Sequence, residues 1–192
     1  VSCALRREHC DSCLVKQRCA YSVCFETPVP DGAEIMRKYP NAPHPFVLEP
    51  PEDEKQDYEP GEELKVHFWL IGRAKEYLPY FIYAFDEMGK QGLGRNRGKV
   101  TLARVETGTG AALQYMYQEE KEQITGSAEV LDYAAIRKRA AELSGKPLKI
   151  SFITPARIKS EKRFTQSCEM SVLAAALVRR MNTLAYFFCG ST

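Results

Sequence analysis

The chain has 192 residues and a formal net charge of +2, from 27 Lys+Arg against 25 Asp+Glu. Hydrophobic residues make up 44% and charged residues 27%, with a mean hydropathy of −0.37. These values exclude a disordered or collagen-like chain. They leave a globular protein of one or two domains, at roughly 100–200 residues each.

No run of about 18 apolar residues reads as a membrane span, and no basic-then-apolar leader is visible. The expectation is a cytoplasmic protein without a membrane partner. Residues 3–7 read as the last turn of a helix, and the chain stops just beyond an apolar helix. That pattern predicts a fragment trimmed at both ends, with exposed core edges and exchange between copies, as in a homodimer.

Residues 21–26, with Tyr21, Val23 and Phe25, are predicted as a short strand. Residues 44–49 are another, stopped by Pro50-Pro51. Residues 64–72 alternate, with Leu64, Val66, Phe68 and Leu70 on one face and Lys65, His67 and Trp69 on the other. A helix follows. Pro79 falls in its first turn, where a missing N–H is tolerated. Leu78, Phe81, Ile82, Phe85 and Met88 form its apolar stripe, and Gly89 is placed at its end. Then come a strand over 100–105, a helix over 134–143 exposing Arg137-Lys138-Arg139, and a strand over 148–153. Last is a helix over 170–189 with Leu173, Leu177, Met181, Leu184 and Phe188 on one side. Short connections between mixed elements predict an α+β fold.

Five of the seven cysteines lie in the first 24 residues. Cys10-x2-Cys13-x5-Cys19, with Cys3 upstream, can wrap four thiolates around one ion. Zinc in a structural role is the favoured ligand. An iron–sulfur cluster is the alternative, since spacing does not separate the two. A disulfide reading lacks the support of an export signal. Cys24 reads as a small core residue, and Cys168 and Cys189 lie far from the cluster.

Gly89, Gly92, Gly94 and Gly98 punctuate a basic loop with Arg95, Arg97 and Lys99. The loop joins a helix to a strand. This is the reverse of a dinucleotide fingerprint, and Gly98-Lys99 is followed by Val100 in a strand rather than by a helix, so neither nucleotide motif applies. Glycines let backbone N–H groups approach phosphate closely, and the cations add charge. A second basic stretch holds Arg157, Lys159, Lys162 and Arg163, interrupted by Glu161. Two basic loops in a nearly neutral chain suggest a local anionic partner.

Residues 77–85 (Tyr-Leu-Pro-Tyr-Phe-Ile-Tyr-Ala-Phe) running into Gly92-Leu93-Gly94-Arg95-Asn96-Arg97-Gly98 resemble the RAMP superfamily. They are most similar to its CRISPR precursor-RNA processing endoribonucleases. The cysteine cluster with Tyr21 and Phe25-Glu26, residues 46–51, residues 153–159 and Leu184-Ala185-Tyr186-Phe187 resemble one cysteine-containing branch. The resemblance implies tandem ferredoxin-like (RRM-like) domains. On this chain it gives an end-of-helix and metal-binding loop at 1–20, one nearly complete domain at 21–130 with its glycine loop at 89–98, and a linker helix with the first half of a second domain at 131–192.

The resemblance further implies metal-independent RNA cleavage by 2′-hydroxyl attack on CRISPR repeat RNA, so no cofactor is needed for catalysis. Other CRISPR-associated proteins are implied as partners. His9, in the loop after the first helix, is the candidate catalytic acid or base. Gly92, Gly94, Arg95, Arg97, Gly98 and Lys99 are candidate RNA-binding residues, with Arg157, Lys159 and Arg163 extending the track; Cys3, Cys10, Cys13 and Cys19 are candidate metal ligands. His44, between two prolines, is expected in an exposed loop. His67 is expected to be a satisfied buried histidine, and Tyr80 and Tyr83 to be partly buried, with base stacking open to them and to Trp69 if exposed. The alternative function is a non-catalytic RNA-binding RAMP subunit of an effector complex. A metal-stabilised module with a protein partner is a third class.

Overall fold

The computed structural model describes residues 13–51, 55, 57–108, 113–121, 123–160, 163–165 and 169–190. Cys3, His9 and Cys10 lie outside them. The chain divides into two compact units, one of residues 1–80 and 155–192, the other of residues 81–154.

The first unit opens on a helical segment that widens into a π turn at Ser22–Glu26. Thr27 N donates to Ser22 O at 2.7 Å, and Thr27 itself takes a left-handed φ of 44°. This corrects the strand expected over 21–26. Ser22, Val23 and Cys24 are all buried. Strand geometry sends successive side chains to opposite faces, whereas a helical wrap turns several neighbours toward one core. Tyr21 and Phe25 stack at 5.9 Å, a contact that helical spacing of four residues permits. Packing has overruled local β preference. Thr27 then holds the segment near Ala42: its Oγ1 donates to Ala42 O at 2.6 Å, and Ala42 N donates back to Thr27 O.

Strand β1 (Phe46–Glu49) pairs antiparallel with β2 (His67–Leu70). The register sets Val47 opposite Trp69 and Glu49 opposite His67. Phe68 and Leu70 are the half-buried face of β2, as the alternation predicts. Residues 64–66 precede the strand rather than joining it. At Gly72 the chain turns through φ +58° into a 3₁₀ turn, Gly72–Tyr77, and then α1 (Leu78–Gln91). The core of the unit holds Val23, Cys24, Ala42, Pro45, Ala74, Leu78, Leu184 and Phe188.

A short hairpin pairs β6 (Lys159–Ser160) with β7 (Arg163–Phe164), and Thr165 N donates to Ile158 O at 3.0 Å to extend it. Helix α3 (Met170–Leu184) runs on into a second π turn, Ala185–Cys189. Only its C-terminal end is buried, at Leu184 and Phe188; Leu177 and Met181 of the expected stripe are exposed. Contrary to the expectation of no apolar span, Met170–Cys189 is long and apolar enough by length and composition to cross a membrane, with a mean hydropathy of 1.2. Arg179 and Arg180 sit at its middle, where a bilayer disfavours charge.

The second unit carries the body of α1 and a three-stranded antiparallel sheet, β3 (Arg104–Thr107), β4 (Gln114–Gln118) and β5 (Gln123–Ile124). Strand β3 starts four residues later than the expected 100–105. The register shifts between Val105 and Glu106, which marks a bulge or irregularity. Helix α2 (Tyr133–Leu143) starts on an Asp132 cap, whose Oδ1 accepts from Ala135 N at 2.8 Å. Residues 133–142 of α2 are all exposed, and Leu143 at its end is half-buried.

Residues 148–153, expected as a strand, carry no regular structure, and their apolar side chains are exposed. A strand exists only by pairing, and none of the three sheets reaches this segment. The described residues thus form an α+β chain with small antiparallel sheets.

A Cβ built on Gly72 would lie 2.1 Å from Phe188 O. Gly72→Ala is therefore expected to destabilise the protein by about 2–4 kcal/mol, from overpacking against backbone and from a positive φ. Gly32→Ala, at φ +82° but in open space, is expected to cost about 1 kcal/mol. Urea melts of the two variants make the comparison.

Candidate functional site

Helix α1 does not stop at Gly89, as the sequence reading placed it. It stops after Gln91, where Gly92 takes φ +97° and its N–H is shared between Met88 O and Gly89 O, at 3.0 and 3.1 Å. Gly89 serves another purpose. A Cβ there would meet Val100 O at 2.2 Å, and Val100 N donates to Gly89 O at 3.1 Å. The bare face of the helix lets the returning chain lie against it.

Between these points the loop closes on itself. Leu93 and Gly98 exchange both backbone hydrogen bonds, Leu93 N to Gly98 O at 2.8 Å and Gly98 N to Leu93 O at 3.0 Å. Gly94 turns at φ +71° and Arg97 at φ +49°. A Cβ on Gly92 would sit 2.3 Å from Arg97 O, so only glycine lets the two arms approach. The tip is the tetrapeptide Gly94-Arg95-Asn96-Arg97. Among the described residues, the N–H groups of Arg95 and Asn96 meet no acceptor.

The five cations between Gly89 and Arg104 are not equivalent. Lys90 Nζ lies 2.7 Å from Asp86 Oδ2 and 3.0 Å from Glu87 Oε1, and these two carboxylates hold its ammonium above the ordinary lysine range. Lys99 Nζ donates to Lys90 O, in the last turn of α1, where a cation suits the helix end. Arg104 Nε lies 3.1 Å from Glu106 Oε1. Arg95 and Arg97 are exposed, and among the described residues no carboxylate pairs with either. Of the residues named for phosphate, these two keep their charge uncommitted at the loop tip.

The second basic loop belongs to the other unit. Arg157 lies over the ring of Phe164 at 4.3 Å and Lys159 at 5.1 Å, the latter its cross-strand partner. These cation–π contacts pre-position both cations. Phe164 was missed from sequence, although an aromatic next to Arg163 in a basic stretch was the signal.

The sheet face of β1 and β2 differs from expectation. His67 is exposed rather than buried, because it falls on the solvent face with Trp69, two residues on. Trp69 is 46% exposed, and its Nε1 donates to Glu49 Oε1 at 2.7 Å. Tyr80 and Tyr83 are also exposed, against the partly buried expectation. His44 is exposed as expected and stacks on Phe46 at 5.7 Å.

Of the proposed metal ligands, Cys13 and Cys19 are described. Both are free thiols, at the two ends of successive turns closed by Lys16 N to Cys13 O at 3.1 Å and Cys19 N to Val15 O at 2.8 Å. Among the described residues no three His, Cys, Asp or Glu side chains group as a metal site. Cys24 is fully buried, in a helical turn rather than the strand expected for it. Burial pushes its thiol up to about 11, against the pull of the Arg73 guanidinium and with a further push from Cys19.

The family model AF_1859_N, described as an N-terminal domain, matches residues 1–129. The match takes in the cysteine cluster, β1, β2, α1 and the glycine hairpin, and leaves out α2, the β6–β7 hairpin and α3. No curated protein and no solved structure matches the chain.

The buried thiol makes stability depend on pH. Unfolded Cys24 loses its proton near its ordinary value of 9.0, while folded Cys24 holds it to about 11. Stability is complete below pH 9 and falls as pH rises from there through about 11. Tyr77, raised above 10.0 mainly by burial, adds to the fall at the upper end. Urea melts across this range are expected to show the decline, and Cys24→Ala to remove the part that begins at pH 9.

Proposed function

The chain belongs to the AF_1859_N family. From the resemblance of residues 77–98 and the geometry of the hairpin, we propose that it binds RNA and cleaves it without a metal ion, in the manner of the RAMP precursor-RNA endoribonucleases that its sequence resembles. The observation carrying this reading is the self-closed hairpin at the end of α1, which holds Arg95 and Arg97 uncommitted beside unengaged N–H groups. Such a tip accepts phosphate through charge and backbone donors together. The Arg157–Phe164–Lys159 cluster adds a second set of phosphate contacts. Contacts of this type give affinity without sequence choice. The reading carries a ferredoxin-like architecture with it, and CRISPR repeat RNA as the substrate.

In the proposed reaction a ribose 2′-hydroxyl attacks the adjacent phosphorus. The P–O5′ bond breaks, leaving a 2′,3′-cyclic phosphate and a 5′-hydroxyl. His9 takes or gives the proton, and the arginines meet the developing charge. Cys3, Cys10, Cys13 and Cys19 would hold zinc. Four sulfur ligands leave no open position, so the ion would brace the N-terminal loop and take no part in the chemistry. The two described thiols are free.

Two measurements test the proposal. Labelled repeat RNA, mixed with the protein in EDTA, is expected to be cut at one position with a cyclic phosphate end. His9→Ala is expected to slow that cut at least about 100-fold. Binding without cutting would favour the non-catalytic subunit instead. In salt titrations, Arg95→Ala with Arg97→Ala is expected to reduce the slope of log affinity on log salt by about 1.4, from two single-strand phosphate contacts at about 0.7 each. An unchanged slope would remove the hairpin from the interface.

A further inference from the structure

The solvent face of the β1–β2 ribbon has chemistry that phosphate binding does not use. Its members are Val47, Glu49, His67 and Trp69, two cross-strand pairs in register. Trp69 presents much of its indole to solvent, yet the ring is not free to swing, because Nε1 is bonded to Glu49 Oε1 at 2.7 Å. A flat, exposed and pinned aromatic is a platform for another flat ring. Base stacking on such a platform contributes substantially to single-strand binding. His67, two residues before Trp69 on the same strand face, offers a second ring beside it.

Glu49 decides which base. An ionised carboxylate accepts hydrogen bonds and donates none. One of its oxygens is already fixed at the rim of the indole, which keeps the carboxylate beside the stacking surface with Oε2 left to accept from a base there. Guanine shows two adjacent donors on its Watson–Crick edge, N1–H and N2–H2. Adenine and cytosine show one amino donor beside a ring acceptor, which a carboxylate repels. Uracil shows one N–H between two carbonyls. A carboxylate is also a poor neighbour for phosphate, which separates this face from the arginine hairpin. The chemistry fits a base and not the backbone.

We propose that the Trp69–Glu49 face is a guanine-selective stacking site for single-stranded RNA. It rests on the RNA reading above and adds the sequence choice that the basic loops lack. Trp69 is the sole tryptophan of the chain, so its fluorescence reports this site alone.

The experiment uses the full chain and short 2′-O-methyl oligouridines, which resist cleavage, carrying a single central guanine, adenine or cytosine and a terminal fluorescein. Anisotropy reads binding, and Trp69 emission reads stacking. Expected is strong quenching of Trp69 by the guanine oligomer, with binding about tenfold tighter than for plain oligouridine. Glu49→Gln is expected to erase the guanine preference while leaving stacking. Trp69→Phe is expected to keep most of the affinity and Trp69→Ala to lose about tenfold. The salt slope is expected to stay unchanged in all three. Anisotropy binding with no change in Trp69 emission would overturn this inference and leave the RNA reading standing. Equal quenching by all four oligomers would overturn the guanine assignment. No binding by either readout would bring down the RNA reading and this inference together.

Discussion

The first unit depends on one close approach. Gly72 and Phe188 are far apart in sequence, yet the carbonyl of Phe188 occupies the space where a side chain on residue 72 would stand. The contact needs a residue with no Cβ and a positive φ, and it needs the end of α3 to loosen into a π turn that brings that carbonyl forward. Around it lie Ala74, Leu78, Leu184 and Phe188, all buried. The antiparallel ribbon of β1 and β2 leads directly into Gly72, so this packing anchors the strand that carries Trp69 and His67. A second, smaller anchor is the Thr27–Ala42 pair, which ties the N-terminal helical turn to the chain just before β1.

Neutralisation separates the cations that build the fold from those available to the proposed interface. Lys90 is held by acids one turn back, Lys99 by a helix-end carbonyl, and Arg104 by Glu106. The Lys99 contact ties the hairpin that presents Arg95 and Arg97 to the last turn of α1. In the β6–β7 hairpin an aromatic ring, that of Phe164, lies under Arg157 and Lys159. A ring positions a cation without cancelling its charge.

Much of this was legible in the sequence where periodicity was long. Helices α1, α2 and α3 lie where their patterns placed them, although part of the α3 stripe is exposed, and the alternation of residues 64–72 contains β2 on the expected faces. Short segments were less legible, because tertiary packing decides them. Residues 21–26 have strand-forming side chains, but the core needed three neighbours at once. Strand β4, Gln-Tyr-Met-Tyr-Gln, shows one apolar residue between polar ends, and only Met116 is buried. The cluster of glycines was recognised, but which glycine ends α1 depends on where the chain returns, and that is a property of Val100 as much as of Gly89. The exposure of His67 was implicit in its alternation with Phe68. The pairing of Glu49 with Trp69 depends on strand register, which no local pattern encodes.

Residues 148–153 place Leu148, Ile150, Phe152 and Ile153 in water without a pairing strand. The segment has high β propensity, no proline, and Lys149 as its single charge. Such windows template intermolecular cross-β pairing when concentrated. Lys149 acts as a gatekeeper within it. These six residues are remote in sequence from the glycine hairpin, so a charge placed at Ile150 would interrupt such pairing without touching the basic loops.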